Sequence, residues 1–241
     1  MTLKNARTIS GTVTNAAGGA PIQGVSVVAC NGDSCFQGVS GFTNSSGQYT
    51  ITGLSNATYR VYTSTGYTNF DSNTGGVAFI DQFYRSSPPT VECGGCRPTL
   101  STGSTITVSG SPITGINFAL RQGPRILGRV TNSAGVGVAN VNVVVHRVTG
   151  SWIGPSFVQT DSNGDFESGG LPPGIPFTVL TVNSGLVDEI YDNIPCIGGS
   201  CSLSSGGSIT FATDTSPNVT VNFSLADGGR IAGTVTNRAG G

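Results

Sequence analysis

Apolar residues recur at every second position along short runs of this chain, and the runs come in the same order twice. Ile9, Gly11 and Val13 alternate with polar neighbours and read as a first strand, closed by the turn Asn15-Ala16-Ala17-Gly18-Gly19. Val25, Val27 and Ala29 predict a second strand with one buried face. Asn44-Ser45-Ser46-Gly47, between two alternating runs, predicts a β-hairpin leading into Tyr49 and Ile51, with Gly47 left-handed. Leu54, after Gly53, is expected to plug the core. Tyr59, Val61 and Thr63 make a further strand, Ile106 and Val108 another, and Ile116, Phe118 and Leu120 close the series. Val141, Val143 and Val145, the predicted hairpin Thr160-Asp161-Ser162-Asn163-Gly164-Asp165-Phe166, Gly170-Leu171, and Val221, Phe223 and Leu225 repeat the plan. No segment keeps an i, i+3, i+4, i+7 apolar pattern over three turns, so no long helix is expected.

The first strand itself occurs three times: around Ile9-Ser10-Gly11-Thr12-Val13-Thr14-Asn15, Ile126-Leu127-Gly128-Arg129-Val130-Thr131-Asn132 and Ile231-Ala232-Gly233-Thr234-Val235-Thr236-Asn237. Such self-similarity means an array of modules. The expected division is residues 1–6 as the tail of a preceding repeat or linker, 7–122 as repeat one, 123–229 as repeat two and 230–241 as the first strand of a third. The chain is thus expected to begin and end inside a longer array, as an excised piece or a mature form, because no charged-then-apolar leader opens it. Seven or so short strands per module point to an all-β protein of tandem Ig-like antiparallel β-sandwiches.

Composition sharpens this picture in two respects. Only 10% of residues are charged and the net charge is −1, so neither nucleic acid nor an anionic membrane surface is an expected partner, and no apolar run is long enough for membrane insertion. The cations are ten arginines and Lys4, so neither module holds a lysine for the Lys–Asn isopeptide bond that locks some surface-protein β domains. Stapling would fall to the six cysteines, which form three close pairs: Cys30/Cys35, Cys93/Cys96 and Cys196/Cys201. Their even number and short spacing predict local disulfides in an oxidising compartment. A zinc site would need ligands beyond one CxxC pair, and the one histidine, His146, lies in the other module. A thioredoxin-like motif would need a helix where Arg97-Pro98 stands.

Both modules carry the order I-x-G-x-V-T-N, G-V-x-V, T-(D/N)-x-x-G-x-(Y/F), G-L and, at the close, N-F-x-L. That order resembles the carboxypeptidase regulatory-like domain, a transthyretin-like β-sandwich related in architecture to the B-type repeats of surface adhesins. The resemblance implies a spacer, stalk or adhesive module rather than a catalyst. The cysteine pairs and an insertion at residues 66–79 depart from the common plan.

The candidate sites follow from chemistry. Asp161, Asn163 and Asp165 put three oxygen side chains at alternate positions, as a calcium loop does, yet without the Gly and bidentate Glu of that loop; a plain turn explains the same residues. Asp188, Glu189 and Asp192 form a second acidic group. Tyr67 and Phe70 in the insertion, and Trp152, are candidate ligand-binding residues, with Tyr62, Tyr84 and Tyr191 as further stacking platforms. Asn44, Asn56, Asn218 and Asn222 stand in N-x-S/T sequons. Ile231, Gly233 and Val235 are candidates for strand pairing with a neighbouring sheet edge. His146 has no acidic neighbour in sequence to make a triad, so no catalytic residues and no cofactor are expected. The expected function is that of a non-enzymatic extracellular or cell-surface structural repeat protein, a filament subunit or surface stalk or adhesin, whose partners are other copies or neighbouring repeats. The alternative is an accessory module that binds carbohydrate or a surface protein.

Overall fold

The computed structural model describes residues 7–32, 38–65, 78–87, 91–93, 103–148, 156–182, 185–196, 201–229 and 232–234. Among them there is no helix, only short strands joined by turns. In the N-terminal half these are β1 (Ile9–Asn15), β2 (Ser26–Asn31), β3 (Val39–Phe42), β4 (Gln48–Ile51), β5 (Ala57–Ser64), β6 (Asp81–Phe83), β7 (Val91–Cys93), β8 (Thr105–Val108) and β9 (Phe118–Leu120). A three-stranded sheet in the order β4-β1-β9 faces a six-stranded sheet in the order β3-β2-β5-β6-β7, to which β8 adds against β5. Ile9 and Val13 from the first sheet meet Val27, Ala29, Val61 and Val108 from the second in one core, because alternate residues of each strand point inward.

The C-terminal half repeats this order with β10 (Ile126–Asn132), β11 (Asn142–Arg147), β12 (Ser156–Gln159), β13 (Asp165–Glu167), β14 (Pro176–Val182), β15 (Glu189–Ile190), β16 (Ile194–Pro195), β17 (Ile209–Thr210), β18 (Val219–Thr220) and β19 (Phe223–Leu225). β13-β10 with β18 and β19 is the smaller sheet, and β12-β11-β14-β15-β16 with β17 against β14 the larger. A second core gathers Ile126, Val130, Val143, Val145, Phe166, Phe177 and Phe223.

One sequence expectation needs correction. The predicted hairpins at Asn44–Gly47 and Asp161–Gly164 are tight turns, but their flanking strands do not pair with each other. β3 pairs with β2 while β4 pairs with β1, so the turn carries the chain from one sheet to the other; β12 and β13 part in the same way. The turn chemistry is real: Gly47 and Gly164 hold φ of 70° and 85°. The partner choice is set by the two-layer core and not by the turn. The sheets are antiparallel apart from one parallel seam in each half. The closing strand runs parallel to the first, with Val13 opposite Phe118 and Val130 opposite Phe223.

That parallel seam explains residues shared by both halves. A Cβ at Gly11 would fall on the carbonyl of Ile116, and one at Gly128 on the carbonyl of Val221. The ladder breaks there, and an asparagine side chain fills the gap: Asn117 Oδ1 accepts the Thr12 N–H at 2.9 Å, and Asn222 Oδ1 the Arg129 N–H at 3.0 Å.

Candidate functional site

The segment where the two halves meet brings polar and apolar groups together from distant parts of the sequence. Residues 121–124 form a connector that is hydrogen-bonded on both sides. Toward the N-terminal half, Arg121 C=O accepts the Ile80 N–H at 2.8 Å and the Gly123 N–H donates to Ala78 C=O at 3.0 Å, with a bridge between Phe79 and Gln122. Toward the C-terminal half, Pro124 C=O accepts the Leu171 N–H at 2.9 Å, and the Gly170 N–H donates to Phe79 C=O at 3.2 Å. Ile80 is 0% exposed because Gly123, Gly170 and Leu171 close over it; a Cβ on Gly123 or Gly170 would come 2.7 Å from Ile80 Cγ1 or from the Phe79 carbonyl carbon.

Arg121 fastens the same junction from outside. Its Nε and Nη2 donate to the two carboxylate oxygens of Glu92 on β7, at 2.8 and 2.7 Å, and its Nη1 donates to Asp214 of the other half. The bidentate bond to Glu92 holds the guanidinium firmly protonated against a smaller opposing effect of burial. A cleft of about 620 Å³ lies on one side, lined by Ala16, Gln122, Pro124, Asp214 and Asn218. A second, of about 820 Å³, lies on the other, lined by Thr12, Gln82, Arg85, Glu92 and Asn117.

Behind each closing strand sits a buried polar group that the sequence reading assigned no role, or grouped wrongly. Gln82 is 2% exposed and its Nε2 donates to Ala119 C=O at 2.8 Å. Glu189, 8% exposed, occupies the corresponding place and accepts from the Ser224 N–H. The correspondence is exact in its supports: Thr63 Oγ1 bonds Asp81 and receives the Gln82 N–H, as Thr181 Oγ1 bonds Asp188 and receives the Glu189 N–H. Burial raises the Glu189 carboxyl above its ordinary range, and the Ser224 N–H offsets this in part. Asp188, Glu189 and Asp192 therefore serve three separate purposes, Asp192 being exposed and bonded to Asn193.

The remaining candidates fall as follows. Asp161 Oδ1 accepts the backbone N–H groups of Asn163 and Asp165, both at 2.8 Å, and Arg129 Nε donates to Asn163 C=O at 2.9 Å. Asn44 makes the same pair of bonds to Ser46 and Gln48 at 3.0 Å, so Asp161 and Asn44 are turn caps of one kind. Asn218 Oδ1 accepts the Arg125 N–H at 2.9 Å, so three of the four sequon asparagines, Asn44, Asn218 and Asn222, pin backbone. His146 Nδ1 lies 2.7 Å from Arg147 C=O. Cys196 and Cys201 are joined by a disulfide with Cα atoms 4.5 Å apart. Cys30 and Cys93 are also disulfide-bonded and pack with Tyr62 and Phe83 in a small cluster apart from the main core. Cys35 and Cys96 lie outside the described residues, as do Tyr67, Phe70, Trp152, Ile231 and Val235. Gly233 is exposed and belongs to no strand. The end of the proposed binding insertion is corrected: Ala78 and Phe79 are buried, Phe79 within the core, because they form the junction just described. Tyr62 is buried against Phe83, and Tyr84 and Tyr191 pack on the two cores.

Several solved structures match this chain at low identity and low TM-score. One is the Bacillus anthracis TIE protein, at 10% identity over 92% of this chain and 34% of that one, with a TM-score of 0.32. The Streptococcal ancillary pilin matches at 12% identity over 95% of this chain and 64% of its own, with a TM-score of 0.31. The shaft pilin SpaA from Lactobacillus rhamnosus GG matches at 10% identity over 95% of this chain and all of its own, with a TM-score of 0.33. The chain thus spans about a third of the first of these proteins and under two thirds of the second. No curated protein matches the sequence. The stretch from residue 8 to residue 80, which runs from β1 to the buried Ile80 at the junction, matches the family model of the carboxypeptidase regulatory-like domain.

Proposed function

We propose that this chain is a non-enzymatic structural segment of an extracellular or cell-surface protein, built of tandem β-sandwich modules that hold a fixed spacing. The observation that carries the reading is the connector at residues 121–124, hydrogen-bonded to Ala78 and Ile80 on one side and to Leu171 on the other. A connector meant for independent movement would leave its backbone to water. Here four main-chain bonds, a buried Ile80 and the Arg121 bridge support a fixed setting of one module on the next.

Three features support the surface setting: the Cys196–Cys201 disulfide, the oxidised Cys30 and Cys93, and a polar surface of low net charge. The finer form of the reading is that the segment polymerises, with residues 230–241 pairing through Ile231, Gly233 and Val235 against a sheet edge of another copy. Electron microscopy of the secreted protein, beside a version lacking residues 230–241, tests it. Filaments that vanish on truncation are the expected result. Isolated particles in both samples would overturn polymerisation and leave a stalk.

A further inference from the structure

The junction between the halves has a second, uncovered copy at the far end of the chain. Residues 185–187 and 226–228 reproduce the two backbone bonds and the bridge on its N-terminal side: the Val187 N–H donates to Ala226 C=O at 2.8 Å, the Gly228 N–H to Gly185 C=O at 3.1 Å, and Leu186 bridges Asp227. These match Ile80 on Arg121, Gly123 on Ala78 and the Phe79–Gln122 bridge. The cover is what differs. Ile80 is 0% exposed beneath Gly170, whereas Val187 is half-buried; Pro124 is buried, whereas its counterpart Gly229 is exposed.

The covering group has an uncovered twin as well. Registers of β4 and β13 against β1 and β10 make Gly53-Leu54 the counterpart of Gly170-Leu171. Gly170 is buried with the Phe79 carbonyl carbon 2.7 Å from where its Cβ would be, while Gly53 is exposed with nothing within 4 Å. The chain therefore carries exposed counterparts of both sides of a junction it has already made once, Gly53 holding a positive φ where Gly170 does not.

We infer that the face formed by Val187, Asp227, Gly228 and Gly229 is a docking surface for a further module of this same plan, which seats its Gly–Leu pair over Val187 and turns its leucine N–H toward Gly229 C=O. Residues 230–237 repeat the sequence that leads from the first junction into β10. The ion-pair half of the junction does not recur, since Ala226 stands in the place of Arg121; the contact is one of backbone and small apolar groups. The inference rests on the array reading for its biological use.

The test is a fusion in which residues 7–229 of a second copy follow Gly229 of the first, so that Arg7 takes the place of Arg230. With the second copy segmentally labelled, amide exchange at Gly53 and Leu54 is compared with the same amides in the first copy, and Val13 reports that each module is folded. Protection of the second-copy amides by at least tenfold is expected. Gly53→Asn in the second copy alone should abolish that protection and leave Val13 unchanged, because Asn tolerates the φ of 76° and has open space in an uncovered module. Equal exchange in the two copies, or protection that survives Gly53→Asn, overturns the docking face. Neither result bears on whether secreted chains form filaments, so the two readings fail separately.

Discussion

Glu189 sits in an environment that conflicts with its charge. It is 8% exposed, and burial raises its carboxyl above the ordinary range. A raised folded value means that the folded state holds the proton more tightly, so the stabilisation is complete below the unfolded value of about 4.3 and is lost as the pH climbs through the folded one. Gln82, in the same place in the other half, is neutral and makes the same reach to the closing strand. Glu189→Gln is therefore expected to raise the melting temperature by a few degrees at neutral pH and to match the parent protein near pH ~4; calorimetry across that range checks it, and a lower melting temperature at neutral pH would count against it. Neither residue was legible in the sequence. Glu189 reads as one of three acids in a row, and only the fold turns it inward while Asp192 stays in water. The turn caps, in contrast, were visible, since Asn44 and Asp161 act on backbone two and four residues away.

At the scale of elements, alternation located β1, β2, β4 and their counterparts, because each has one face in the core and one in water. The short strands β6 and β7 escaped it. Asp81–Phe83 is buried at all three positions, between the main core and the cluster around Cys93, so no alternation exists to be read. Partner choice also lay beyond local signals: a turn sequence specifies a reversal, and the two-layer core decides whether the strands then pair. The close approach of the closing strand to Gly128 gives the sharpest prediction here. Gly128→Ala puts a methyl on the Val221 carbonyl and is expected to cost about 3 kcal/mol in urea unfolding. Gly229→Ala, with nothing within 4 Å, should stay within about 0.5 kcal/mol of the parent.

For the whole molecule, the recurrence of the first strand, seen as β1 and β10, was readable in the sequence, but the junction was not. Phe79 stood at the end of an insertion that invites a binding role, with Ile80 next to it, and their burial depends on Gly170 and Leu171, some ninety positions away. Arg121 is the outer fastening, and its side chain is 40% exposed, so Arg121→Ala is expected to cost under about 1 kcal/mol of stability. The effect should appear in shape: small-angle scattering would show a broader range of end-to-end distances, and high salt should reproduce part of it in the parent protein. An unchanged profile would mean that the backbone bonds alone fix the junction.

The parallel pairing of β1 with β9, and of β10 with β19, has a consequence for a chain held at both ends. In each half the chain enters through one of these strands and leaves through the other, and because they run side by side in the same direction, the two exits lie at opposite ends of the pair. Tension along the chain then acts along the strands and loads their hydrogen bonds together in shear, whereas antiparallel neighbours would peel apart one bond at a time. Each module is fastened in the geometry that resists being pulled open.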